Sequence, residues 1–264
     1  MVYRFNRNAT KPKSLLGYCL ILALFAGLAF LYVKKEGSLQ TASSAGKMSR
    51  DEVEVIIKDY LMENPKIIFD AMEKFYVEKS QHDRENAKNT IQSKTKELEE
   101  DASDPRAGAA NGKIKIVEFF DYRCSYCQHM VDVKKKVIDH NPNVQFIFKE
   151  SPMLSKDSVL AAKAALAVNK INKAKYLAFQ TELLGHRGEI TPEAIDGIAT
   201  KLEINKEQLR KEMADKAIEQ KIEQNVNLAH EIGIRGTPAY IIAGEVLPGK
   251  VSYETIKQVL DNHK

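Results

Sequence analysis

Hydrophobic and polar positions change their period several times along the chain, and each change marks an element. Residues 14–33 (SLLGYCLILALFAGLAFLYV) hold 20 positions without a charge. As a helix at ~1.5 Å per residue, that length crosses a ~30 Å hydrocarbon layer. We read it as a transmembrane signal anchor behind a basic cytoplasmic tail, residues 1–13, with Cys19 as a small apolar residue inside it. Arg4, Arg7, Lys11 and Lys13 ahead of the segment, against Lys34 and Lys35 behind it, favour an exported body. A cleaved signal peptide is the alternative, the small residues Ser43, Ser44 and Ala45 lying about ten positions past the apolar stretch. Residues 34–48 are small, polar and linker-like.

From Ser49 the period becomes helical. Ser49 with Asp51 and Glu52 reads as a capped helix start, and Val53, Ile56, Ile57, Tyr60 and Leu61 follow at helical spacing. Asn64-Pro65 separates this helix from a second one reaching about residue 100, apolar early (Ile68, Met72, Phe75, Tyr76) and polar later. Residues 49–100 therefore predict a helical stalk and possible oligomerisation region; a solvated helix folded back on the next domain is the other reading. Residues 101–112 (DASDPRAGAANG) read as a hinge.

Residues 114–120 form an almost unbroken apolar run, which predicts a strand covered on both faces. After Asp121, Met130, Val133, Val137 and Ile138 recur at helical spacing, so Cys124 falls where strand gives way to helix. Residues 144–149 (VQFIFK) predict a second buried strand. Residues 156–232 are helical throughout, with starts at Thr191-Pro192 and Asn205 and an end at Gly233. A strand returns at 239–243 and a terminal helix begins near Ser252.

Composition narrows the reading. Setting aside the four basic residues of the N-terminal tail, 36 Lys and Arg stand against 36 Asp and Glu, which leaves no bulk field for nucleic acid. Three cysteines are present, and Cys124 and Cys127 form a C-x-x-C pair. A helix N-terminus stabilises a thiolate through its unpaired N–H groups and its dipole, so Cys124 is the candidate nucleophile and Cys127, one turn on, the candidate resolving thiol. Half of a zinc site is the competing interpretation of C-x-x-C, but only Cys19 and the nearby His129 could complete it. Asp121 and Arg123 could tune Cys124 or cap the helix. Thr237-Pro238 stands just before the returning strand, where a proline costs no ladder hydrogen bond.

Taken together, Glu118-Phe119-Phe120, Cys124-Ser125-Tyr126-Cys127, Thr237-Pro238-Ala239 and the long helical insertion resemble the DsbA-like branch of the thioredoxin fold over about residues 112–264. The block at 49–75, with Tyr60 to Pro65, is similar to the N-terminal extension of the ScsC and Com1-like members. The resemblance implies an α/β thioredoxin domain at 113–264 with its insertion at about 156–232. It also implies a cis Pro238 beside the disulfide, Thr237 offering backbone hydrogen bonds to substrate, and Ser125 and Tyr126 flanking that contact. Glu118 matches an acid that, by the resemblance, accepts a proton or tunes the electrostatics near Cys127; a structural ion pair, with Lys149 on the next strand as a candidate partner, is the alternative. Ser-Tyr between the cysteines, where typical DsbA oxidases carry Pro-His, argues against a strongly oxidising pair.

The implied function is disulfide formation or isomerisation in exported proteins, with no cofactor beyond the cysteine pair. The implied partners are exported cysteine-containing proteins, a membrane redox partner and further copies of the chain through 49–100. The implied location is the periplasmic face of the inner membrane. A reductant-fed thiol protector or copper-tolerance protein, and a non-enzymatic surface scaffold, are the rival functions.

Overall fold

The computed structural model describes residues 48–263, so the expected tail and anchor at 1–33 and most of the linker lie outside the described residues. Among those described, no helix is long and apolar enough to cross a membrane. The chain divides into two compact units, up to Met72 and from Glu73 onward.

In the first unit, helix α1 (Arg50–Glu63) starts with the expected capping box. The Ser49 side chain accepts from the Glu52 N–H, and the Glu52 carboxylate accepts from the Ser49 N–H at 2.8 Å. Asn64 leaves helical geometry and α2 (Pro65–Ser93) begins at the proline. α1 contains no buried residue, and Ile56, Ile57, Tyr60, Ile68, Phe69 and Met72 are all exposed.

The second unit is built on a five-stranded sheet: β1 (Arg106–Gly108), β2 (Ile114–Phe120), β3 (Val144–Glu150), β4 (Ala239–Ile242) and β5 (Glu245–Pro248), in the order β1-β3-β2-β4-β5. β2 and β3 are parallel and joined through helix α3 (Ser125–His140); the other pairs are antiparallel. The expected helical insertion comprises α4 (Lys156–Ile171), a single 3-10 turn, α5 (Tyr176–Gly185), α6 (Pro192–Lys201), α7 (Lys206–Met213) and α8 (Lys216–Ile232). Thr191 and Asn205 cap α6 and α7 as their sequences predict, and Gly233 ends α8 in the left-handed region. Helix α9 (Tyr253–Asp261) closes the chain.

The apolar run of β2 is explained by cores on both faces. Ile116 and Phe120 join the larger one, with Phe146, Phe148, Met130, Val137 and the alanines of α4. Val117 and Phe119 join the other, with Ile147, Ile241, Leu228 and Ile232. Ile91 near the end of α2 and Leu98 in the following π-turn (Lys96–Glu100) also enter this second core, with Ala87 packed against it. The polar later half of α2 thus docks at the few apolar positions it has.

Residues 101–112, read from sequence as a hinge, instead contain β1, which pairs with β3 from Arg106↔Ile147 to Gly108↔Gln145. Gly108 has φ +87° and its α-carbon lies so near the Val144 carbonyl that a Cβ would come within 2.6 Å of it, so glycine is required there. Asp104 is buried and ion-paired to Lys149 and, at 2.5 Å, to Lys221. Asp101 also holds Lys221, at 2.7 Å. Gly112 is bound in the same way as Gly108, a Cβ there coming within 2.8 Å of the Val144 backbone, so these two glycines mark close approach to β3.

Candidate active site

β2 ends at Phe120, and four residues later Cys124 stands as the N-cap of α3 with extended backbone geometry. Asp121 builds the turn between them. Its buried carboxylate accepts from the Arg123 N–H (2.7 Å), the Ser158 hydroxyl (2.6 Å) and the N–H groups of Met153 and Leu154 (2.7 and 3.0 Å). Four donors make it the organiser of the loop after β3, and Arg123 is held outward by the Gly188 carbonyl at 2.7 Å. Neither side chain touches the sulfur by these contacts.

Both thiols are reduced. Cys124 Sγ lies 3.1 Å from the Thr237 carbonyl, at the cis Thr237–Pro238 peptide bond. The Cys127 thiol, the Thr237 side chain and the N–H groups of Cys127 and Tyr126 donate to the Cys124 sulfur and, against the cost of burial, pull its pKa down to about 5. Cys127 is 1% exposed. Burial, reinforced by the adjacent Cys124, pushes its thiol far above the ordinary range. One cysteine is therefore a thiolate at neutral pH and the other a retained proton donor. Tyr126 is 57% exposed and faces the same groove as Thr237 and Pro238. Ser125 is exposed, its carbonyl engaged by His129 at 2.7 Å.

Glu118 is fully buried on β2. The ion pair of the alternative reading forms, but with Lys134 of α3, 2.8 Å from Oε2, in place of Lys149, and the Tyr240 hydroxyl donates to Oε1 at 3.2 Å. The register gives the reason: Glu118 faces Phe148, whereas Lys149 stands beside Phe119 on the opposite face of the sheet, where Asp104 takes it.

Sequence reasoning missed the rest of this buried polar core. Lys134 donates to Gln180 Oε1 at 3.0 Å, Gln180 to the Tyr176 hydroxyl at 3.2 Å, and Tyr176 and Tyr122 both to Glu150 Oε1 at 2.8 Å. Burial lifts the Glu150 carboxyl to about 8 despite these donors. Lys134 also lies 4.8 Å from the centre of the Phe148 ring. The available signal was its position between Met130 and Val137 in the apolar stripe of α3, where an unpaired cation would be costly. Among the described residues, no cluster of three or more His, Cys, Asp or Glu could hold a metal ion.

A central parallel β-α-β unit, a helix-capping thiolate, a buried second thiol one turn on and a cis proline against the sulfur define a thioredoxin-fold thiol–disulfide protein. A family model described as Thioredoxin matches residues 100–262, and one described as the Copper resistance protein ScsC N-terminal domain matches residues 50–76. The chain belongs to the thioredoxin family, in its DsbA-like, ScsC-type branch, and is an oxidoreductase.

Among relatives, the Probable disulfide bond formation protein D of Bacillus cereus is 26% identical over 58% of this chain and 76% of its own length. The solved structure of the thiol-disulfide exchange protein alpha-DsbA2 from Wolbachia pipientis is 29% identical, with a TM-score of 0.64, covering 67% of this chain and 96% of that one. Proteus mirabilis ScsC in a transitional conformation is 27% identical, with a TM-score of 0.61 over 80% and 95% of the two chains. The chain spans only 23% of another curated relative, the Na(+)/H(+) antiporter NhaA 1 of Salinispora arenicola, to which 56% of this chain is matched.

Proposed function

We propose that the chain forms or reshuffles disulfides in exported proteins through Cys124 and Cys127, with no cofactor other than that pair. The observation that carries the reading is the asymmetry of the two thiols: Cys124, 8% exposed and against the Thr237 carbonyl, is held near pKa 5, whereas Cys127, 1% exposed, stays protonated. In isomerisation, the Cys124 thiolate attacks a wrong substrate disulfide, forming a mixed disulfide and freeing one substrate thiolate. That thiolate attacks another disulfide of the substrate, and the thiolate so freed attacks the substrate sulfur of the mixed disulfide, which expels the Cys124 thiolate with no net change in electrons. If the substrate stalls, Cys127 displaces it, leaving a Cys124–Cys127 disulfide and a substrate reduced by two electrons and two protons. Oxidation of a substrate dithiol is the reverse, and sustained turnover then draws on a membrane redox partner.

On this reading Glu118, held by Lys134, accepts or relays the Cys127 proton, while Thr237, Tyr126 and Ser125 meet the substrate. Residues 14–33 anchor the enzyme at the periplasmic face of the inner membrane. The match of residues 50–76 to a copper-resistance domain favours one second reading, a reductant-fed thiol protector. The redox state of the pair in cells separates them, a mostly oxidised pair speaking against the protector.

Insulin reduction and recovery of a scrambled disulfide protein test the assignment. Cys124→Ser is expected to abolish both, whereas Cys127→Ser keeps attack and accumulates mixed disulfides. Activity surviving in Cys124→Ser would sink it.

A further inference from the structure

A groove of about 1190 Å³ opens beside the reactive thiol. Tyr126, Arg235 and Thr237 line one side of it. Tyr76, Lys79 and Arg84, three residues of α2 lying outside the thioredoxin family match, line another. We propose that this stretch of α2 is the outer wall of the substrate groove, and that it selects extended polypeptide segments carrying an acidic side chain beside their cysteine. The proposal deepens the disulfide-exchange reading and rests on it.

Three observations carry the assignment. First, the groove is continuous with the reaction site, because the carbonyl of its lining residue Thr237 lies 3.1 Å from Cys124 Sγ. Second, α2 is fixed in place on this side: Ala87 and Ile91, one and two turns beyond Arg84, pack against Leu228, Ile232 and Ile234. Third, the charge is unbalanced. Lys79 holds Asp83 at 2.8 Å and Lys94 holds Glu231 at 3.1 Å, which accounts for both acids of the lining. Arg84 is bonded only along its own helix, to the Ser80 carbonyl at 3.2 Å. Arg235 acts on Asp83 only at longer range. Neither guanidinium is ion-paired among the described residues, both are exposed, and a carboxylate in the groove would meet both. Tyr76 and Tyr126, 59% and 57% exposed, add two aromatic faces for apolar side chains of the same segment.

The test uses the full chain in its reduced form against two peptides with an internal disulfide, identical except for Asp or Lys beside the attacked cysteine. Cys124 attacks, Cys127 displaces the peptide, and two electrons pass to it. The uncharged disulfide of mercaptoethanol serves as control. The Asp peptide is expected to react faster, by about two- to fivefold for each cation it meets at low salt, the advantage fading as salt screens it. Arg84→Glu is expected to cancel or reverse the preference, and Tyr76→Ala to slow both peptides, each rate being read relative to that of the uncharged disulfide with the same variant. Equal rates on the two peptides, or a preference untouched by Arg84→Glu, overturns the groove assignment. Failure of the unaltered chain to react with the uncharged disulfide overturns instead the exchange reading beneath it.

Discussion

At the scale of single residues, the proposed chemistry depends on two sulfurs three positions apart meeting different environments. Both border the larger core, but Cys124 caps a helix and keeps 8% of its surface exposed, while Cys127, a turn inside, keeps 1%. On the proposed reading, position on the helix assigns the roles. Alkylation of the reduced protein is therefore expected at Cys124 alone, its rate rising with pH through a midpoint near 5; modification mapped first to Cys127 would reverse the assignment. The sign for stability follows from the same lowered value. The native state holds a thiolate where the unfolded chain holds a thiol, so the reduced form gains stability that is complete above the ordinary thiol pKa of 9.0 and is lost as pH falls through about 5. Cys124→Ser removes that dependence, which denaturation of the reduced proteins across this range measures. The cysteine pair was legible from its own spacing, whereas Glu118 and Thr237-Pro238 were singled out only through the family resemblance, since Gly-Thr-Pro by itself is a common turn. Lys134, Tyr122 and Glu150 were not, because only their mutual contacts give them meaning.

Elements were readable wherever their signals are local. Caps at Ser49, Thr191 and Asn205, the proline at the head of α2 and the glycine after α8 all mark real boundaries. β1 escaped because three residues, one of them glycine, carry no periodicity, and the strand exists only as a partner for β3. What holds this segment is the buried cluster of Asp104, Lys149 and Lys221, in which burial lowers the Lys149 pKa against the pull of Asp104. Asp104→Ala leaves Lys149 buried facing Lys221 with its carboxylate gone. Breaking a buried pair from one side costs roughly 3–5 kcal/mol. The urea midpoint is expected to fall accordingly, and an unchanged midpoint would show that the cluster contributes nothing net.

For the whole molecule, the open question posed by the structure is what covers the first unit. Ile56, Ile57, Tyr60, Ile68, Phe69 and Met72 lie exposed on two helices, and exposed apolar residues in such number mark an interaction surface. Further copies of the chain are the expected cover, which would gather several Cys124 thiolates around one substrate and raise their effective concentration. Light scattering should give a multiple of the chain mass for residues 48–264 and the single-chain mass for 73–264; equal single-chain masses would reject the assembly. What the sequence determined by itself was whatever neighbouring residues decide among themselves: helix limits, the doubly covered strand, the C-x-x-C at a helix start, the apolar arm. Tertiary structure alone decided which distant groups meet. Cys124 and Thr237 are 113 residues apart, Glu118 and Tyr240 are 122, and Lys149 and Asp104 are 45. Strand register and the two-residue alternation of a sheet sent Lys149 to Asp104 and left Glu118 to Lys134, a choice made by long-range packing that no local pattern encodes.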